Sequence, residues 1–299
     1  MSVPAAFLAV ILVWSTTPLA VKWSSEGAGF LLGAFGRMAL AAILCVAILA
    51  ALRRKLPWHR QARHTYVAAT LGAYGALLCV YWGAQYIPSG IVALIFGLTP
   101  LLTALFARVV LDERSLTLAK LAGMLLAMLG LGVIFGAHAT WGAHAAAGIM
   151  VVLLGVVLHS MAAVLVKRNN ASLPSFMVTT GALLITAPLF FLTWELFGAP
   201  IPAAVSTQTL GAIVYLGIVG SVIGFSLYFY LLRHIEANAV ALVTLVSPVL
   251  ALILGATVNH ESIPWRVWTG AALVLSGMGL HHWGHVLWRC LPAVRERLS

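Results

Sequence analysis

Tyr86 to Gly136 reads YIPSGIVALIFGLTPLLTALFARVVLDERSLTLAKLAGMLLAMLGLGVIFG, and His234 to Gly284 reads HIEANAVALVTLVSPVLALILGATVNHESIPWRVWTGAALVLSGMGLHHWG. The second stretch is a copy of the first. Val92-Ala93-Leu94 falls on Val240-Ala241-Leu242, Thr99-Pro100 on Ser247-Pro248, and Glu113 on Glu261. After a one-residue gap, Gly123 and Gly130 meet Gly270 and Gly277. A weaker match links the two beginnings: Ser15 lies seven residues before Lys22, as Ser160 does before Lys167. Two homologous apolar halves are a common way to build a carrier whose site opens to either side of a membrane.

Working outward from the repeat, composition identifies the solvent. Apolar residues are 62% of 299 and charged residues only 8%. A water-soluble core has no use for that much apolar surface, so the chain is read as an integral membrane protein with the lipid bilayer as its partner. Stretches of about 20 apolar residues fall at roughly 4–23, 29–52, 65–85, 88–109, 117–135, 147–166, 175–197, 208–232, 238–258 and 265–287. The runs are continuous, without the alternation of a membrane barrel. The first has neither a basic flank before it nor a cleavage site after it, so it is read as a span and not a signal peptide.

The net charge of +10 would suggest a nucleic-acid partner if it were clustered on a domain. It is instead a topology code. Of the 17 Lys and Arg residues, 14 lie in the 2–3, 4–5, 6–7 and 8–9 loops and the C-tail, beginning with Arg53, Arg54 and Lys55 and ending with Arg295 and Arg297. The opposite side has Lys22 and Arg266, and Arg37 lies within a span. Basic short loops stay cytoplasmic. Both termini are therefore expected in the cytoplasm, with no nucleic acid bound. Five spans per half is an odd number, so the second copy enters from the other side. The expected fold class is an all-α membrane protein of ten transmembrane helices in two inverted five-helix repeats. The repeats cover residues 1–140 and 141–299, the second carrying a short cytoplasmic C-tail.

No acidic residue lies in the middle of a span, so no buried carboxylate is offered for proton coupling. Arg37 lies about eight residues into the second span, beyond easy snorkelling to the interface. It is either an anion anchor in a cavity or a brace to a neighbouring helix. His159 is in mid-span and aligns with Trp14 when Ser15 is laid on Ser160. Both are candidates to shape a substrate cavity. In the third span Tyr74, Leu78, Tyr81 and Gln85 share one helical face. In the eighth, Ser221, Phe225 and Tyr228 form one face and Ser226, Phe229 and Arg233 another. Pro18, Pro100 and Pro248 are candidate gate positions, because a proline within a helix bends it and frees a carbonyl. For Pro100 and Pro248, the preceding Thr99 and Ser247 can satisfy that carbonyl.

Glycines at small-residue spacing in the fifth and tenth spans point to a packed brace or a homodimer face. His281, His282 and His285 lack the carboxylate or cysteine that a metal site would add, so no metal is expected. Cys45, Cys79 and Cys290 are not expected to form disulfides. No HExxH motif, mid-span carboxylate pair or nucleophile dyad appears. The reading is therefore of no enzyme, no catalytic residue and no cofactor.

Several runs together resemble the EamA family of the drug/metabolite transporter superfamily over nearly the whole chain. They are Trp14-Ser15 before Pro18 and Lys22, Arg37 early in the second helix, and YIPSGIVALIFGLTPLLTALFA followed by Asp112-Glu113-Arg114. The second copy, from Ala239 through Ser247-Pro248 to Glu261, matches as well. The resemblance implies a central cavity between inverted repeats, with the fifth and tenth helices at the periphery. It also implies a secondary, non-ATP carrier in a bacterial inner membrane, exporting a small organic metabolite such as an amino acid. Trp14, Arg37, Tyr74, Tyr81, His159, Phe225 and Tyr228 are the expected substrate-binding residues. Import or exchange of quaternary amines is the alternative within transport, and a sensor or assembly partner without flux is a remoter one. Ser15 stands where the family often has glycine, and His260-Glu261 replaces the acidic pair Asp112-Glu113.

Overall fold

The computed structural model describes residues 2–26, 29–112, 118–135, 142, 144–169, 173–197, 204–241 and 243–290. In a bilayer each backbone N–H and C=O needs a partner within the protein, and continuous apolar runs meet that need as helices. The first unit is α1 (Val3–Ser25), and the second is α2 (Phe30–Ala51). Next, α3 (Arg60–Thr70) passes through a π-helical segment, Leu71–Ala76, into α4 (Leu77–Gly83). α5 (Ser89–Phe96) turns at Gly97 and Leu98 into α6 (Thr99–Val110). They are followed by α7 (Leu118–Phe135), α8 (Ala145–Asn169) and α9 (Ser175–Leu196). α10 (Thr207–Tyr215) runs through a second π-helical segment, Leu216–Ile223, into α11 (Gly224–His234). The series closes with α12 (Ala237–Ala241), α13 (Val243–Val258) and α14 (Trp265–Cys290).

Among the described residues there is no strand, and 7 units are long and apolar enough to cross a membrane. They are α1, α2, α3 with α4, α5 with α6, α8, α9, and α10 with α11. The remaining expected stretches, near 117–135, 238–258 and 265–287, are helical in their described residues as α7, α12 with α13, and α14. Large apolar side chains such as Leu12, Ile43, Leu129 and Leu192 are exposed on the outside of the bundle. That is the surface expected of a protein whose solvent is hydrocarbon. Glu113, the sequon at Asn170 and the C-tail from residue 291 lie outside the described residues, as do the side chains of His281, His282 and His285.

The helices pack in pairs. α1 lies on α13 and α8 on α6; α1 also meets α10 and α11, as α8 meets α3 and α4. α2 packs on α9, α5 on α13, and α7 on α14. This last contact is made between backbones. A Cβ on Gly130 would stand 2.6 Å from the Gly270 carbonyl oxygen, and one on Gly277 would stand 2.5 Å from that of Gly123. Glycine is what allows the approach, because dispersion contact and not hydrophobic exclusion holds helices together in lipid.

Pro100 does not sit in mid-helix as its sequence context suggests. It occupies the first turn of α6, where a missing N–H is harmless, and the chain bends just before it. Thr99 Oγ1 donates to the Phe96 carbonyl at 2.5 Å, the carbonyl that a residue-100 N–H would otherwise have taken. Pro18 and Pro248 do lie inside their helices, α1 and α13. Ser247 Oγ reaches the Val243 carbonyl at 3.0 Å, one residue short of the one its proline frees.

At one end of the bundle a charged clasp joins the two sequence copies. Glu261 Oε1 accepts from Lys22 Nζ at 3.1 Å, from the Ser89 backbone N–H at 3.1 Å and from Asn259 Nδ2 at 3.0 Å. Asn259 Oδ1 in turn accepts from Trp23 Nε1 at 2.8 Å. The Glu261 side chain is 3% exposed. Burial alone would raise its carboxyl, but the Lys22 ammonium and the Ser89 N–H at the start of α5 outweigh it and hold the group below the usual carboxylate range. Lys167, the repeat counterpart of Lys22, instead donates to the Leu232 and Ile235 carbonyls at 3.0 and 2.6 Å, at the end of α11.

Two outcomes follow for stability. Lys22→Met leaves the buried Glu261 carboxylate without its charged donor and is expected to cost about 1.5–3 kcal/mol at neutral pH, read as a drop in thermal midpoint in detergent. Because the folded carboxyl is depressed, its contribution is complete above the ordinary carboxylate range. The gap between wild type and Glu261→Gln should therefore shrink as pH falls below about 4. Second, Gly130→Val and Gly270→Val should each cost about 1–3 kcal/mol by overpacking. Gly132→Val is the control, since a Cβ there meets nothing within 4 Å.

Candidate functional site

Midway along the bundle, side chains from α1, α2, α3, α4, α5, α8, α11, α13 and the first π-helical segment surround a cavity of about 110 Å³. Two local features make room for it. The π-helical segment Leu71–Ala76 carries Gly72, Ala73 and Ala76 to the wall, and a widened turn of small residues leaves space where an α-helix would present longer side chains. α5 adds Val92, Ala93 and Phe96, and it ends at the turn just beyond Phe96.

On one side lies a cluster of three rings. Trp14 meets His159 edge-on with centroids 5.6 Å apart and meets Tyr228 at 5.0 Å, and His159 meets Tyr228 at 5.4 Å. Phe96 closes on His159 at 5.8 Å. Such edge and tilted contacts suit ring quadrupoles, and they hold the rings without engaging their polar edges. Trp14, His159 and Tyr228 make no side-chain hydrogen bond among the described residues.

Arg37 also lines the cavity. It is the eighth residue of α2 and is 1% exposed. Its Nε donates to Ser221 Oγ at 2.9 Å. The second π-helical segment presents that hydroxyl, and Gly220 beside it lets the guanidinium lie close, since a Cβ there would stand 3.2 Å from Nη2. Nη1 is buried and has no partner. Among the described residues the ion pair present is Lys22 with Glu261, and no carboxylate lies against Arg37. One N–H is thus tied to a neighbouring helix while Nη1 remains unmatched. A buried guanidinium donor without an acceptor is costly, and an anionic solute would relieve that cost.

Of the residues singled out from sequence, Trp14, Pro18, Arg37, His159, Phe225 and Tyr228 line the cavity. Of the two faces considered on the eighth span, the one with Phe225 and Tyr228 is turned inward, joined by Phe229. Tyr74 and Tyr81 are elsewhere. Tyr74 hydrogen-bonds Thr193 on α9 at 2.6 Å and packs against Phe190, while Tyr81 is fully buried with its hydroxyl 3.3 Å from Ser24 Oγ. Tyr74 lies within the π-helical segment and Tyr81 beyond it in α4, so the regular period that put them on one face does not hold along their span. Pro100 and Pro248 are buried and do not line the cavity.

Sequence reasoning missed Thr17, Phe96, Ala162, Ala163, Thr244 and Ser247, which also face it. The repeat could have found most of them. The alignment that pairs Trp14 with His159 pairs Thr17 with Ala162 and Pro18 with Ala163. The alignment that pairs Thr99 with Ser247 pairs Phe96 with Thr244. Both members of each of these four pairs Trp14–His159, Thr17–Ala162, Pro18–Ala163 and Phe96–Thr244 line one cavity.

Comparison with known proteins bears on this arrangement. The chain is 26% identical to the "Probable terminal-alkyne amino-acid exporter" of Streptantibioticus cattleyicolor, over 92% of this chain and 91% of that protein. It is equally identical, 26%, to the "Uncharacterized inner membrane transporter YedA" of Escherichia coli (strain K12), over 97% of this chain and 93% of that one. A solved crystal structure shares the fold with a TM-score of 0.69, at 24% identity over 94% of this chain and 97% of the other. The profile of the EamA-like transporter family matches twice, at residues 2–136 and again at 146–281. The chain is an integral membrane protein that belongs to the EamA-like transporter family.

Proposed function

We propose that the protein is a secondary, non-ATP carrier that exports a small organic metabolite, such as an amino acid or a related amphipathic compound, by alternating access. In this reading, ten transmembrane helices form two inverted repeats of five, over residues 1–140 and 141–299, with both termini in the cytoplasm of a bacterial cell and the cavity between the halves. The observation that carries it is the repeat pairing at the cavity wall: Trp14 with His159, Thr17 with Ala162, Pro18 with Ala163, and Phe96 with Thr244. A site shared by counterpart positions of two copies is what a carrier with inverted repeats needs, since one half then re-creates for one compartment what the other builds for its opposite. The paired helix contacts, α1 on α13 and α8 on α6, support the same symmetry, as does the double match of the family profile.

Trp14, His159, Phe225 and Tyr228 would shape the site, and Arg37 would anchor an anionic group. Tyr74 and Tyr81 would serve it from behind, by fixing α9 and α1 through Thr193 and Ser24. Pro18, Pro100 and Pro248 would bend the helices as access switches, the break before α6 being the hinge best placed to move. The Lys22–Glu261 clasp would hold one mouth shut. Quaternary amines are the second reading, favoured by the three-ring cluster, which suits cation–π attraction. The guanidinium in the same lining repels such a solute.

Counterflow in proteoliposomes, across labelled amino acids, amines and organic acids, tests the function. At least one compound should move by exchange without ATP, and Trp14→Ala should reduce that flux by roughly tenfold or more. Folded protein that moves no solute of the panel would refute the reading.

A further inference from the structure

The fixed charge of the cavity is unbalanced. Arg37 brings a full positive charge to the wall, its Nη1 lacks a partner, and among the described residues no acidic side chain lines the cavity. Beside it stand the Trp14 N–H, the Tyr228 O–H and the His159 ring, none of them in a side-chain hydrogen bond among the described residues. The Thr17 and Ser247 hydroxyls donate to carbonyls of their own helices at 2.8 and 3.0 Å, and Thr244 donates to the Ala241 carbonyl at the end of α12 at 2.6 Å, so their oxygens are left as uncharged acceptors. The rest of the wall is apolar, including Leu77, Val80, Val92 and Phe96. A volume of about 110 Å³ has room for on the order of ten non-hydrogen atoms.

From this we infer that the preferred solute is a compact organic anion: a carboxylate on an apolar or aromatic body, with no ammonium group beside the carboxylate. The inference rests on the transporter reading and narrows it. A monoanion bound at Arg37 brings site and solute together to zero net charge. A zwitterionic amino acid carries its own cation into the same low-dielectric space, so the net charge stays positive and the ammonium finds no carboxylate. An amine adds a second positive charge near the first. The carboxylate pairs with the Arg37 guanidinium in a charge-assisted bond, and the ring cluster and aliphatic wall take the body.

Four ligands of similar bulk isolate the charge: hydrocinnamate, phenylalanine, hydrocinnamyl alcohol and phenethylamine. Binding is measured by isothermal titration calorimetry on the detergent-solubilised full chain, with thermal midpoints recorded alongside, and each compound is also run as a counterflow substrate. Hydrocinnamate should bind at least about tenfold tighter than phenylalanine, with the alcohol and the amine weaker still. Arg37→Gln should remove that ranking. Arg37→Lys keeps the charge and should retain the order at lower affinity, which guards against a Gln variant that merely fails to fold. Tighter binding of phenylalanine, the alcohol or the amine, accompanied by counterflow, overturns the inference and leaves the carrier reading standing. Counterflow of some other solute, with none of the four bound, does the same. No flux of any solute by folded protein removes both.

Discussion

A guanidinium held at membrane depth is the constraint around which this bundle is organised. Water is not available there to solvate Arg37, so the protein must supply its acceptors. It does so in part. Ser221 takes the Nε proton, while Nη1 stays unmatched in a buried position. The partial match accounts for several features at once. Ser221 reaches Arg37 from the π-helical segment Leu216–Ile223, and Gly220 leaves space beside the guanidinium. Another part of the lining is a set of rings that hold one another by their faces and edges. A fully satisfied Arg37 would be a brace. Here the Nη1 donor is left over, and the proposed anion anchor is built on it.

The rest of the bundle gives this site its walls and leaves its interior open. α7 and α14 meet through glycines at backbone distance, a contact made from packing and not from solvent exclusion. The Lys22–Glu261–Ser89 clasp concentrates electrostatic attraction where the two sequence copies meet at one end. The less regular elements are the break from α5 to α6, the two π-helical segments, and the helices that contain Pro18 and Pro248. Irregular backbone in a membrane protein is tolerated where it is covered by protein or borders a cavity, and several of these elements border this one.

Helical class and membrane setting were legible in the sequence because they depend on long apolar runs, a signal that averages over about twenty residues. Trp14, Arg37 and His159 were legible because a polar or bulky group in mid-span stands out against hydrocarbon. Tyr74 and Tyr81 were placed by an ideal 3.6-residue period, and the π-helical segment Leu71–Ala76 breaks that period within their own span. No composition rule announces such a segment; LGAYGA reads equally well as small-residue packing. Pro100 was misjudged for a related reason: the turn at Gly97 and Leu98 converts a mid-helix proline into a helix-starting one. The Lys22–Glu261 bond joins residues 239 positions apart and leaves no local trace. Thr17, Phe96 and Thr244 left a trace that was available but indirect, since only the register of one copy on the other marks them.

The account depends on the two copies crossing the membrane in opposite senses. Single cysteines placed at Glu113 and at Ser262, after replacement of Cys45, Cys79 and Cys290, can be labelled with a membrane-impermeant maleimide in intact cells and again after permeabilisation. The account predicts that Ser262→Cys reacts in intact cells and Glu113→Cys only once the membrane is opened. Equal access to both positions from the outside would contradict it.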